Sequence, residues 1–300
     1  METGRILSAV VLLAALAAAS PAPAAAQAIQ RSMHVSAVDS AGAPIPNLGP
    51  PDFIVREDKV SREVLRAGPA TDPMQVVLLL DDSPTAEEYL TDYRAALKAF
   101  IETIGADANV NGKHSISIVT VAARPTIRTN YTADTAELQK AAAGIFPQAD
   151  SLPCMVDGIF EVSEGIVRRH SPRPIIVAIT AGSSLDASNH SYVEVLEMLR
   201  QSGAELRVVT VGIDRNHSRD LSNVVDAGTR ASGGRYDNVM SSRGLTSTLT
   251  SLATELTHQY LVTYAHPESL IPPESVTVSS PRANLSIHGT LVRDSIAERR

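Results

Sequence analysis

Asp81, Ser83 and Thr85 alternate directly after the uncharged apolar run from Val76 to Leu80. One carboxylate and two hydroxyls at that spacing bring hard oxygen donors into a single turn, a set suited to Mg²⁺, Mn²⁺ or Ca²⁺ and not to a thiolate-bound metal. The run before them has the continuous apolar character of a strand covered on both faces in a parallel sheet, and ligands of such sheets sit beyond the carboxyl ends of the strands. The same residues have a plainer use. Ser83 or Thr85 can accept a backbone N–H at the start of a following helix, where the helix dipole also favours Asp82.

The elements that must position this turn alternate between two periods. Apolar strand patterns occupy 76–80, 115–121, 126–129, 175–180, 206–211 and 236–239, and helical patterns occupy 90–104, 136–145, 155–168, 221–231 and 245–256. A further helix carries Val193, Leu196 and Leu199 and stops at Gly203, the residue a C-cap favours. This alternation predicts an α/β domain with a doubly wound, mostly parallel sheet. On either side the pattern is all β: Met33–Val38 and Phe53–Val55 before it, Leu261–Tyr264, Val276–Val278 and Leu285–Leu291 after it. Gly68 to Pro73 reads as a linker. Each flank is too short to bury its own apolar face, so the two are expected to form one β-sandwich with the α/β domain inserted, two separate hairpins being the alternative. The predicted organisation is 1–28 signal peptide, 29–70 first part of the sandwich, 74–256 α/β domain and 258–300 second part of the sandwich.

The signal peptide is read from Arg5, the apolar stretch Ile6 to Ala19, and a Pro/Ala segment ending Ala24-Ala25-Ala26-Gln27-Ala28, with cleavage after Ala26 or, preferably, Ala28. The stretch is shorter than the roughly 20 residues a membrane span needs, and no second one follows. The mature chain is therefore expected outside the cytoplasm, periplasmic or secreted, with no membrane span. A formal charge of −7 with no block of Lys and Arg argues against a nucleic-acid partner. Cys154 is the only cysteine, which rules out an intrachain disulfide and leaves it as a small buried side chain.

With the Asp81-x-Ser83-x-Thr85 turn, the strand end Ile179-Thr180-Ala181-Gly182 and the segment Ala231-Ser232-Gly233-Gly234-Arg235-Tyr236, the middle region resembles a von Willebrand factor type A domain. The flanks Asp52-Phe53-Ile54-Val55-Arg56-Glu57-Asp58 and Gln259-Tyr260-Leu261-Val262-Thr263-Tyr264 resemble those of exported bacterial proteins related to that family. The resemblance implies a metal-ion-dependent adhesion site. Its first element carries over to Asp81, Ser83 and Thr85, with Mg²⁺ or Mn²⁺ as the implied cofactor. Its later elements do not: Pro153 stands where the family has a loop Thr, and Ala181 where it has Asp. Asp150, Ser151, Ser183 and Asp186 lie near enough in sequence to substitute, and the site is expected to be impaired.

The expected function is a non-enzymatic, exported protein-binding or adhesion module that presents the top face of the α/β domain, with Asp82, Ser183 and Asp186 as partner contacts and an unknown protein as ligand. The acidic residues would select a basic partner. The alternative is an exported serine hydrolase using Ser83, Ser151 or Ser183 with one of the 8 histidines. Against it stands the absence of a G-x-S-x-G elbow and of metal-spaced histidines. Nucleotide binding fails because no glycine-rich loop follows the first strand of the domain. Arg168-Arg169-His170 reads as a set of charges at a helix C-terminus.

Overall fold

The computed structural model describes residues 29–181, 186–212, 218–268 and 273–292. The expected signal peptide and Ser183 lie outside them. Thirteen strands are present among the described residues: β1 (Ile29–Val38), β2 (Ile54–Glu57), β3 (Val60–Arg62), β4 (Val64–Pro69), β5 (Gln75–Leu80), β6 (Ser115–Thr120), β7 (Thr126–Thr132), β8 (Pro174–Ala181), β9 (Glu205–Val211), β10 (Arg235–Val239), β11 (Tyr260–His266), β12 (Val276–Ser279) and β13 (Ser286–Leu291). The helices are α1 (Leu90–Gly105), α2 (Thr135–Ala143), α3 (Met155–Arg169), α4 (Tyr192–Ser202), α5 (Arg219–Asn223), α6 (Thr229–Ala231) and α7 (Leu245–Thr257).

Strand β5 shows why the central sheet forms. Val76, Leu78 and Leu80 project into one apolar core and Val77 and Leu79 into the other. Helices α1, α2 and α7 cover the first face, and α3, α4 and the α5–α6 segment cover the second. β8 divides in the same way, with Ile175, Val177 and Ile179 on one side and Ile176 and Ala178 on the other. The strand order is β10-β9-β8-β5-β6-β7, parallel throughout except for the antiparallel edge strand β7. The order reverses between β5 and β8, which opens a crevice beyond their carboxyl ends.

The flanking segments do meet. A four-stranded antiparallel sheet runs β13-β1-β11-β4 and a three-stranded one runs β12-β2-β3, so each sheet mixes strands from before and after the α/β domain. Met33, Val35, Phe53, Val55, Val262 and Tyr264 fill the layer between them. Glu57 ties the two sheets together from inside: its carboxylate accepts from Tyr264 Oη at 3.0 Å, His266 Nδ1 at 2.8 Å and Arg62 Nε at 2.8 Å.

Three sequence expectations need correction. The stretch read as a linker from Gly68 begins inside β4, where Gly68 pairs with Leu261 and Pro69 with Tyr260. Strand β3, which the sequence pattern does not show, pairs with β2 in a hairpin whose two turn residues, Asp58 and Lys59, are both at positive φ (47° and 71°), a conformation that Lys does not advertise. The expected helix over 221–231 contains a π-helical turn at Val224–Gly228 between α5 and α6.

A buried polar cluster joins the sandwich to the α/β domain. Arg207 Nη2 donates to Glu255 Oε1 at 2.6 Å and to Ser36 Oγ at 3.1 Å, while Gln259 Nε2 donates to Glu205 Oε2 at 2.8 Å. Arg207 also pairs with Glu205 through Nε. At the same junction the backbones nearly touch: a Cβ on Gly233, which sits at φ +74°, would lie 1.9 Å from the Gly289 carbonyl oxygen.

Candidate functional site

β5 delivers Asp81 to the crevice, and the Asp81 N–H continues the ladder to the Ile179 carbonyl of β8 at 3.0 Å. The chain then turns, Ser83 N donating to Asp81 Oδ1 at 2.9 Å, and enters a short 3₁₀ turn, Pro84–Tyr89. Ser83 stands at the N-cap position of that turn but makes no side-chain capping bond. Its hydroxyl lies 2.7 Å from Thr85 Oγ1 instead, and Thr85 Oγ1 donates a long bond of 3.4 Å to Asp81 Oδ2. The capping use of Ser83 is thus not realised. From β8, Thr180 Oγ1 comes within 3.4 Å of the same Asp81 oxygen, across the point where strand order reverses. The structure therefore brings together Asp81, Ser83, Thr85 and a fourth residue, Thr180, that the sequence reading quoted but did not assign.

The site is one carboxylate in a ring of neutral hydroxyls. Asp81 and Ser83 are fully buried. Burial raises the proton affinity of Asp81 above the ordinary aspartate range, hydrogen bonds from Ser83 and the Ala181 backbone oppose this, and Asp82 adds to it. Beneath them Tyr93 of α1 is buried, its hydroxyl finding no partner among the described residues; burial, then the Asp81 charge, hold that phenol well above its ordinary range.

The other sequence candidates are placed differently. Asp82, expected at a helix start or on the partner face, is 1 % exposed, and its Oδ1 accepts from Ala122 N at 2.9 Å, pinning the end of β6. Asp186 is half-buried; its Oδ2 accepts from Met155 N at 3.0 Å and its Oδ1 from Ser188 N at 2.9 Å, so it secures the first turn of α3. Burial raises its proton affinity too. Pro153 bridges to Ala122 and supplies no side-chain donor, and Ser151 Oγ donates to the Gln148 carbonyl at 2.7 Å. Beside them Asp157 accepts from Asn189 N, His190 N and His190 Nδ1 at 3.0, 2.9 and 2.8 Å. Burial pushes Asp157 up, but these bonds outweigh it and leave it below the ordinary range. Asp157 and Asp186 together clamp the 186–190 segment onto α3.

These donors fit a resident divalent cation poorly. Hard cations rely on carboxylate charge, and here a single Asp faces three uncharged hydroxyls, with the Ala181 methyl where the resemblance calls for a second carboxylate. Among the described residues no group of three or more His, Cys, Asp and Glu is arranged to hold a metal.

Nor do the described residues assemble a hydrolase. His114, His190 and His266 face Asp107, Asp157 and Glu57, and no serine hydroxyl among the described residues bonds to any of these rings; Ser286 Oγ does lie 3.0 Å from His288 Nε2, but on β13, away from the crevice and with no carboxylate bonded to that ring among the described residues. His114 accepts from Met74 N through Nδ1 and so carries its proton toward Asp107, a structural arrangement. Cys154 is buried, and burial followed by the surrounding carboxylates Asp186, Asp157, Glu161 and Asp81 pushes its thiol up to about 12, far from a nucleophilic thiolate. Among the described residues no helix is long and apolar enough to cross a membrane.

No protein-family model matches the sequence, and no curated protein matches it. Solved structures do resemble the fold. Proximal thread matrix protein 1 from the mussel byssus, described with a zinc-occupied MIDAS motif, aligns with a TM-score of 0.51 at 15 % identity over 67 % of this chain and 50 % of its own. A von Willebrand factor type A protein from Catenulispora acidiphila aligns at 0.49 and 10 % identity, over 88 % of this chain and 72 % of its own. The von Willebrand factor domain of the type V pili tip protein Mfa5 from Porphyromonas gingivalis aligns at 0.46 and 10 %, over 62 % of this chain and 96 % of its own. With the reversal of strand order at β5/β8, the antiparallel edge strand β7 and the Asp81 turn at the head of the crevice, the central domain of this chain has the von Willebrand factor type A fold.

Proposed function

We propose that the chain is an exported, non-enzymatic protein-binding module whose contact surface is the carboxyl-terminal face of the parallel sheet, and that it works there without a firmly held metal. The observation that carries this reading is the union of Asp81, Ser83, Thr85 and Thr180 at the crevice, in a region where Phe146, Leu152 and Met240 expose large apolar side chains. The 145–153 loop that bears two of them is held to the head of β5 by Gln148 N, which donates to the Asp82 carbonyl at 2.8 Å. Protein-contact surfaces are enriched in aromatic residues and Met, the types that Phe146 and Met240 expose here. Asp186 is a proposed contact at its edge and Ser183 is proposed from the sequence alone, with Asp82 adding negative charge from below.

The mussel byssus protein of similar fold holds zinc in its MIDAS motif. In this chain a lone carboxylate leaves half of a divalent charge unbalanced, so Mg²⁺ or Mn²⁺ is held no tighter than about 1 mM, the weak end of protein sites for hard cations. Calorimetric titration of the full chain with each ion tests this. Micromolar binding that disappears in Asp81→Ala would overturn the metal-independent reading. Export is tested by fractionation and amino-terminal sequencing, with a mature chain starting at Ile29 as the expected result. For partner binding, affinity capture with the chain as bait is expected to recover a protein that Leu152→Ser or Met240→Ser releases; capture indifferent to both substitutions removes the face from consideration.

A further inference from the structure

We propose that the free edge of the central sheet, β7, takes up an extended acidic segment of a partner protein as a seventh strand. The inference is independent of the top-face reading, because β7 lies along the side of the sheet.

β7 ends the strand order, and among the described residues no strand pairs with its outer side. A row of unsatisfied backbone N–H and C=O groups is a template for another strand, which natural folds usually cover or shorten. Here the edge is neither short nor covered: it runs seven residues, and Ile127 on it is 56 % exposed. Clefts flank it on both faces of the sheet. One, of about 470 Å³, lies between β7 and α2 and is bounded by Arg128 and Lys140. The other, of about 440 Å³, lies toward α3 and is walled by Tyr131, Phe160 and Arg169. Ile127 borders both. A strand added beside β7 sends successive side chains to opposite faces, so its alternate residues would enter the two clefts in turn. In strand addition the backbone bonds give affinity, and pockets for alternate side chains give selectivity.

Charge decides the occupant. Arg124, Arg128, Lys140 and Arg169 have no carboxylate within ion-pair distance among the described residues, in a chain whose formal charge is −7. Arg128 donates to the Gly144 carbonyl and Arg169 to the Gly165 carbonyl, while Arg169 also sits 5.3 Å above the Tyr131 ring, so both are held in place without a carboxylate in ion-pair contact among the described residues. Glu137 and Glu161 are the opposing charges beside the clefts, and Glu164 is already paired with Arg168 at 2.7 Å. β7 itself contains no acidic residue. The excess of cations favours a segment with Asp and Glu at its polar places. It also disfavours a second copy of this chain, since two β7 edges would bring like charges together. The basic run at the end of α3 thereby has a use beyond its helix dipole.

The test uses the full chain and two synthetic peptides of about ten residues, long enough to pass along one strand, with the same alternating valines and either Asp and Glu or Lys and Arg between them. Fluorescence anisotropy at low salt is expected to show the acidic peptide binding about tenfold tighter than the basic one, with the difference fading as salt screens it. Backbone amides within 126–132 should gain hydrogen-exchange protection on binding. Ile127→Ser and the charge reversal Lys140→Glu, both at exposed positions, should each weaken binding about fivefold, and Asp81→Ala should leave it unchanged. Equal affinity for the two peptides, no added protection in 126–132, or a self-associated chain that Ile127→Ser dissociates would each overturn the proposal.

Discussion

Glu57 in the sandwich and Asp81 in the α/β domain are both sealed from solvent, at 1 % and 0 % exposure, yet their proton affinities move in opposite directions. Burial pushes both upward. At Glu57 the bonds from His266, Tyr264 and Arg62 outweigh burial and bring the carboxyl below its ordinary range. At Asp81 the partners are hydroxyls and backbone amides, and burial prevails. A buried charge is tolerable where another charge meets it, and costly where only neutral dipoles do. This fold compensates charge where chain segments from opposite ends must be joined and leaves it uncompensated at the crevice.

The largest effect should come from the compensated side. Arg207→Met leaves Glu205 and Glu255 buried and facing each other across the junction, and should cost about 3–5 kcal/mol, the usual penalty for removing one member of a buried ion pair. Burial alone would push Glu255 up, and Arg207 and then Arg235 hold it below the ordinary range, so wild type loses this stabilisation on acidification while the variant is relieved as its buried carboxyl protonates, and the gap between them should narrow as pH falls. Urea denaturation at neutral pH measures the loss. A change under about 1 kcal/mol would mean that the apolar contacts of the junction suffice without the cluster.

Next is Glu57→Gln, expected to cost about 2 kcal/mol at pH 7, the scale of hydrogen bonds to a charged group. Because the folded-state pKa is depressed, the stabilisation is fully present above the unfolded glutamate value and is lost as pH falls through the folded one. Wild type and variant should therefore converge below about pH 4. Curves that stay parallel to lower pH would mean that shape, and not charge, makes Glu57 a tie between the sheets.

How far these features are legible in the sequence depends on how local they are. β5 and β8 declare themselves because strands buried on both faces are apolar without a break. The Asp81-Ser83-Thr85 turn is equally legible, since its donors lie within one turn of chain. Thr180 is not: it reaches Asp81 from 99 residues away, and only the order of parallel strands makes them neighbours. Nothing local marks Glu57 and Arg207 as buried; they become interior ties only when β2 meets β11 and the sandwich meets the α/β domain. Gly68 and Pro69 misled in the other sense, carrying turn chemistry into β4 because the partner strand β11 supplies the pairing that local propensity withholds.

The smallest effect carries the opposite sign and tests the comparison most directly. Asp81→Asn keeps an oxygen to accept from Ser83 N and presents an amide to hydroxyls that can rotate to receive it. The folded state raises the pKa of Asp81, so it binds that proton more tightly than the unfolded chain does, and the ionised carboxylate subtracts from stability as pH rises through the folded value. Removing the charge should therefore stabilise the chain by about 1 kcal/mol at pH 7, in line with neutral replacements of buried charges, with the gain shrinking on acidification toward the unfolded aspartate range near about 3.9. The observable is the difference in urea midpoint between wild type and variant at pH 7 and at pH 4. A variant less stable than wild type at pH 7 would place Asp81 with Glu57 among the compensated carboxylates. It would also mean that the hydroxyl ring, with the orphan Tyr93 beside it, balances more charge than its neutral groups suggest.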